Sequence, residues 1–149
     1  MKNIVFLCIT VLLSSCNNGK TGSNDHNLML ISMGSLHGAG KEGIPAQRTV
    51  IASKAEWEAL KAKMNSVNSV SADFKNDTID FSEEVVIAIF EPVKTTGGHS
   101  VSVYETLETN EEFRIRVKTT APEGMATSVV TQPYYLAKMK NPSKPIIFE

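Results

Sequence analysis

The stretch that most constrains this chain is Val85-Val86-Ile87-Ala88-Ile89-Phe90, six consecutive apolar residues bounded by Glu83-Glu84 and Glu91-Pro92. A short, uninterrupted apolar run reads as a β-strand buried on both faces. The turn Thr95-Thr96-Gly97-Gly98 follows, where paired glycines permit backbone angles that other residues resist. A second strand is expected to leave that turn at His99.

The chain opens MKNIVFLCITVLLSSC. Lys2 forms a short positive region, and Ile4 to Leu13 is apolar but far short of the ~20 residues that span a bilayer. This pattern predicts a secretory signal over residues 1–15. Leu13-Ser14-Ser15-Cys16 matches a bacterial lipobox, which makes Cys16 the expected lipidation site (diacylglyceryl and a further acyl chain such as palmitate). Two or more acyl chains hold a protein stably on a membrane where one binds only marginally. The expected location is the bacterial cell envelope, anchored to a membrane, the outer membrane first. Cys8 leaves with the signal, so neither a disulfide nor a thiolate metal site is expected in the mature chain.

The formal net charge of the whole chain is −1, which suggests neither nucleic acid nor an anionic membrane face as a partner. Residues 16–27, the Cys followed by NNGKTGSNDHN, read as a flexible tether. Residues 28–149 then suit one domain.

Along that domain, Leu28 to Met33 is strand-like and leads into a glycine-rich loop over residues 34–43. Arg48 to Ala52 is a short strand. Ser53-Lys54-Ala55-Glu56 forms a capping box, and Trp57, Leu60 and Met64 follow at helical spacing, so a helix is expected over about residues 53–65. After the strand 85–90, residues 100–107 and 113–117 alternate as strands should. Residues 128–139 are strand-like but carry Pro133, which implies an edge position or a bulge. Ile146-Ile147-Phe148 closes the series. About six or seven strands with hairpin-type connections and one early helix predict an α+β domain, a mostly antiparallel sheet with the helix packed on one face.

No stretch carries clear chemistry, and a non-catalytic protein without cofactor or metal is expected. Gly38-Ala39-Gly40-Lys41-Glu42-Gly43 fits G-x-G-x-x-G, but a strand and not a helix follows it, so a flexible loop is expected there rather than a dinucleotide site. His26, His37 and His99 are far apart in sequence and none has a partner at metal-ligand spacing. Glu83-Glu84 and Glu111-Glu112 are adjacent strand-end residues pointing to opposite faces, best read as solvated caps.

Two stretches stand out as candidate partner-binding residues. One is the turn Thr96, Gly97, Gly98 and His99; the other is Gln132, Pro133, Tyr134 and Tyr135. The two tyrosines point oppositely along a strand, so one is expected in the core and the other at solvent or a partner, where tyrosine is a frequent anchor. Ordinary packing of the tyrosines and an edge-blunting Pro133 form the alternative.

The order Ala55-Glu56-Trp57, Asp80-Phe81, Thr96-Gly97-Gly98 and Thr131-Gln132-Pro133-Tyr134-Tyr135 resembles the PrcB C-terminal domain family, a protease-complex-subunit type of bacterial lipoprotein, over roughly residues 44–149. The resemblance implies an envelope protein without catalytic residues that associates with a surface protease and supports its assembly or activity. The family turn reads Pro-Thr-Gly-Gly followed by an aromatic; here Thr95 replaces the proline and His99 the aromatic, which opens the turn to a different partner. The expected function is therefore a lipid-anchored module that binds a partner protein, an envelope protease among the candidates. A protease inhibitor presenting the Gly-Gly turn and a module for a small ligand or glycan are the alternatives.

Overall fold

A computed structural model describes residues 28–149. The predicted signal segment, the lipobox with Cys16, the tether and His26 lie outside the described residues.

Among the described residues, seven strands and one α-helix follow in the order β1 (Met29–Leu36), β2 (Gln47–Ile51), α1 (Lys54–Met64), β3 (Glu84–Phe90), β4 (Ser100–Glu108), β5 (Phe113–Thr120), β6 (Gln132–Lys140) and β7 (Ile146–Phe148). The α+β class holds, and the strands divide between two sheets. The first has the order β1-β6-β3-β2 with every neighbour antiparallel. The second has the order β4-β5-β7, antiparallel between β4 and β5 and parallel between β5 and β7.

Strand β3 explains the division. Its even-numbered residues Val86, Ala88 and Phe90 join Trp57, Leu60 and Met64 of α1 in one apolar cluster. Its odd-numbered residues Val85, Ile87 and Ile89 join Val101, Phe113 and Ile115 of the second sheet in another. The period of two along a strand thus sends alternate side chains into separate cores. The result is three layers, with the four-stranded sheet in the middle and cover on each side.

Helix α1 begins as the sequence predicts. Glu56 N donates to Ser53 Oγ at 3.3 Å, and Ser53 Oγ donates back to Glu56 Oε2 at 2.8 Å. Trp57, Leu60 and Met64 are its buried residues, and Trp57 stacks on Phe74 with ring centroids 5.9 Å apart. Asp80 of the Asp80-Phe81 pair organises the entry to β3. Its carbonyl accepts from the amides of Glu83 and Glu84, and its carboxylate accepts from the Ser82 hydroxyl and amide. These bonds hold the Asp80 carboxyl below its usual range.

The glycine-rich loop is a set of hydrogen-bonded turns rather than the loose segment expected. Lys41 N donates to Gly38 O at 3.0 Å and Gly43 N to Gly40 O at 3.1 Å. Glu42 folds inward, buried, and its Oε1 accepts from Gly38 N at 2.7 Å. A Cβ on Gly38 would sit 2.3 Å from that oxygen, so this glycine makes room for the carboxylate.

Charge pairs tie the strands of the second sheet together across its outer surface. The Glu149 carboxylate accepts from Arg116 Nε at 2.9 Å and from Arg114 at 3.0 Å. Arg116 also bonds Glu105 at 2.6 Å, and Arg114 pairs with Glu112. The Arg116 hydrogen bond is the main reason that the Glu149 carboxyl lies below its ordinary value of 4.5. A carboxyl lowered on folding stabilises the fold above its ordinary value and loses that contribution as pH falls through the lowered one. Glu149→Gln should therefore lower the melting temperature slightly above about pH 5 at low salt. The gap between variant and parent should close as pH is taken down towards 3, and thermal melts across that range check it.

Candidate functional site

Strand β6 carries half of the candidate residues, and the structure corrects its expected place. It lies between β1 and β3, not at an edge. Pro133 is the second residue of the strand, opposite Ser35 of β1. Glu91 N donates to Pro133 O at 3.0 Å, but Pro133 has no N–H to return. The neighbouring side chain fills that gap: Gln132 Nε2 donates to Glu91 O at 3.0 Å and to Ile44 O at 2.9 Å. The proline is tolerated inside the sheet because an amide side chain replaces its missing donor.

Both tyrosines are buried, at 5% exposure for Tyr134 and 8% for Tyr135. They do point oppositely, as the strand requires, but each face has its own core. Tyr134 packs in the helix-side cluster, stacks on Phe90 and shares a hydrogen bond of 2.9 Å with Ser32 Oγ. Tyr135 packs under the second sheet, and burial pushes its phenol up. The expectation that one tyrosine reaches solvent fails because a sheet covered on only one side was assumed. Gln132, Pro133, Tyr134 and Tyr135 are all buried, so none offers a surface to a partner.

The turn stretch is placed differently. Thr131 bridges to Lys94, with Lys94 N donating to Thr131 O at 2.7 Å and Thr131 N to Lys94 O at 2.9 Å. Thr131 Oγ1 donates to Thr96 O at 3.1 Å, and Gly97 N donates to Thr127 O at 3.0 Å. Thr96 Oγ1 and His99 Nε2 share a hydrogen bond of 3.0 Å. Gly98 has φ +81°, and a Cβ there would meet the Pro122 ring at 2.8 Å. A Cβ on Gly97 would sit 2.4 Å from Thr127 Oγ1. The two glycines therefore answer different demands, close approach at Gly97 and left-handed backbone at Gly98.

This braced turn forms one wall of a cleft of about 470 Å³. Gly97, Gly98 and His99 line it together with Met33, Ser35 and His37 at the end of β1 and with Thr127, Val129 and Thr131. Two histidines that are distant in sequence thus line one cavity. Met33 is 59% exposed and Val129 44%, so the rim is apolar as well as polar. Among the described residues, no group of three or more His, Cys, Asp or Glu side chains is placed to hold a metal. The contribution of β1 to this cleft went unnoticed in the sequence. Gly34-Ser35 merged there with the glycine-rich loop, although the strand runs on to Leu36.

The arrangement is that of a β-rich scaffold presenting a shaped, partly apolar cleft beside a rigid turn. Residues 85–140 match the family described as PrcB C-terminal, the family that the order of motifs resembles. The match covers somewhat over a third of the chain, from β3 to β6, and contains the braced turn. No curated protein and no solved structure matches the chain.

The two halves of the motif should respond differently to substitution. Tyr135→Ala should cost about 3–5 kcal/mol in urea or thermal unfolding, the cost of emptying an aromatic site in a core. Gly98→Ala should cost about 1–2 kcal/mol from its left-handed backbone, and a crystal or NMR structure of that variant should show the turn shifted away from Pro122.

Proposed function

We propose that this protein is a lipid-anchored, non-catalytic envelope module that docks a partner protein at the cleft between the Thr96–His99 turn, the end of β1 and the 127–131 loop. The observation that carries the reading is the turn itself. It is braced by Lys94, Thr127 and Thr131, yet its outer side lines an open cleft with exposed apolar neighbours. Exposed apolar groups beside a preorganised polar wall suit recognition, because little ordering is left for the moment of binding. The match over residues 85–140 supports a protease-complex subunit, so an envelope protease is the first partner to test. The lipobox ending on Cys16 supports the anchor.

A photo-crosslinking side chain placed at Val129 in living cells should give a discrete adduct. The same group at Lys54, on the exposed side of α1, should give none. Equal adducts from both positions, or none from Val129, would reject the cleft as the docking site. Cys16→Ala should release the protein from the membrane fraction, and retention of the variant there would reject the anchor.

A further inference from the structure

Strand β1 is an edge, and its hydrogen-bonding pattern can be worked out from the next strand. Because Glu91 N donates to Pro133 O, the polar backbone groups of Pro133 face β3. Those of its neighbours Gln132 and Tyr134 therefore face β1, since the direction alternates along an antiparallel strand. Their register partners, Leu36 and Gly34, direct their own groups at β6. Met33 and Ser35, which both line the cleft, consequently turn N–H and C=O outward.

The rest of this edge is covered. Lys75 N donates to Ile31 O at 3.0 Å, and Asn76 Nδ2 donates to Leu30 O at 3.0 Å. Among the described residues nothing bonds the outward groups of Met33 and Ser35. The strand, MLISMGSL, carries no Lys or Pro that would discourage pairing. An uncovered edge of this kind is a template for an added strand, in which main-chain bonds give affinity and flanking pockets give specificity.

The walls narrow the choice of occupant. The open length is short, only Met33 to Ser35, which suits one extended arm better than the edge of a second folded sheet. The side chains lining it include two imidazoles, His37 and His99, and the hydroxyls of Ser35, Ser100 and Thr127, with no carboxylate. Hydroxyl and imidazole N–H donors, without an acid among them, complement an anion. Resting on the docking reading above, we propose that the partner enters as an extended peptide arm bearing a carboxylate side chain. The arm adds a strand to the outer edge of β1 at Met33 and Ser35, with its carboxylate received by His37 and His99.

The test uses the full chain in detergent and a display library of random peptides. Enriched peptides should contain Asp or Glu, and changing that residue to its amide should weaken binding roughly tenfold. The double variant His37→Gln, His99→Gln should bind acid and amide peptides alike. Methylating the peptide's backbone nitrogens one at a time should abolish binding at alternate positions and spare those between, the signature of a strand in a ladder. Ser35→Pro removes an outward donor and no sheet bond, so it should weaken the peptide at least tenfold with the fold kept. If that variant fails to fold, the methylation series on the unaltered protein decides. An empty selection, no alternation, or equal binding of acid and amide peptides would each overturn the inference. A Val129 adduct that survives Ser35→Pro undiminished would overturn strand addition while leaving the docking reading standing.

Discussion

Burial of β3 and β6 on both faces is the constraint from which the architecture follows. A strand with a run of apolar side chains on both faces has no side to offer water, so it needs cover twice. One cover is α1 with the 70–81 segment, and the other is the β4-β5-β7 sheet. Among the described residues, the far side of the second sheet carries part-exposed side chains. Its outer face is accordingly held by charge, with Arg114, Arg116, Glu105, Glu112 and Glu149 interleaved across the three strands. Solvent-facing ion pairs add little each, and their value here lies in tying non-consecutive strands in register.

The same double cover decides what the motif residues do. Residues in the Thr-Gln-Pro-Tyr-Tyr segment look like surface features when taken one by one, and each becomes internal once β6 is placed between β1 and β3. Gln132 is the clearest instance. Its amide bonds two carbonyls from different segments, Ile44 and Glu91, and so joins the end of the glycine-rich loop to the end of β3. The Thr-Gly-Gly turn is the complementary case. Its residues are fixed from behind by Thr127, Pro122 and Thr131, and they leave a face free. A single sequence pattern thus contains an inner half that makes the fold and an outer half available for contact.

Much of this could be read from the residues alone. The strand over 84–90, the capped helix, the hairpin from β4 to β5 and the final short strand all followed from periodicity and turn chemistry. The second sheet did not, because an apolar run says that both faces are covered but not by what. Pro133 misled for a related reason: a proline's missing donor argues for an edge only when nothing else can replace it, and that replacement depends on a side chain folding back. The cleft was half legible. Gly97-Gly98-His99 announced itself by composition, whereas Met33, Ser35 and His37 meet it only through the pairing of β1 with β6, a contact across about a hundred residues.

Strand β1 leads from the entry of the chain into the domain to the cleft. The chain enters β1 at Met29, and the cleft begins at Met33 and continues beyond Leu36. At about 3.3 Å per residue, Met29 lies roughly 13 Å from Met33 and roughly 23 Å from Leu36. The chain therefore enters the described domain at the end of β1 away from the cleft. The first strand acts as a built-in spacer between the point where the chain enters the domain and the cleft.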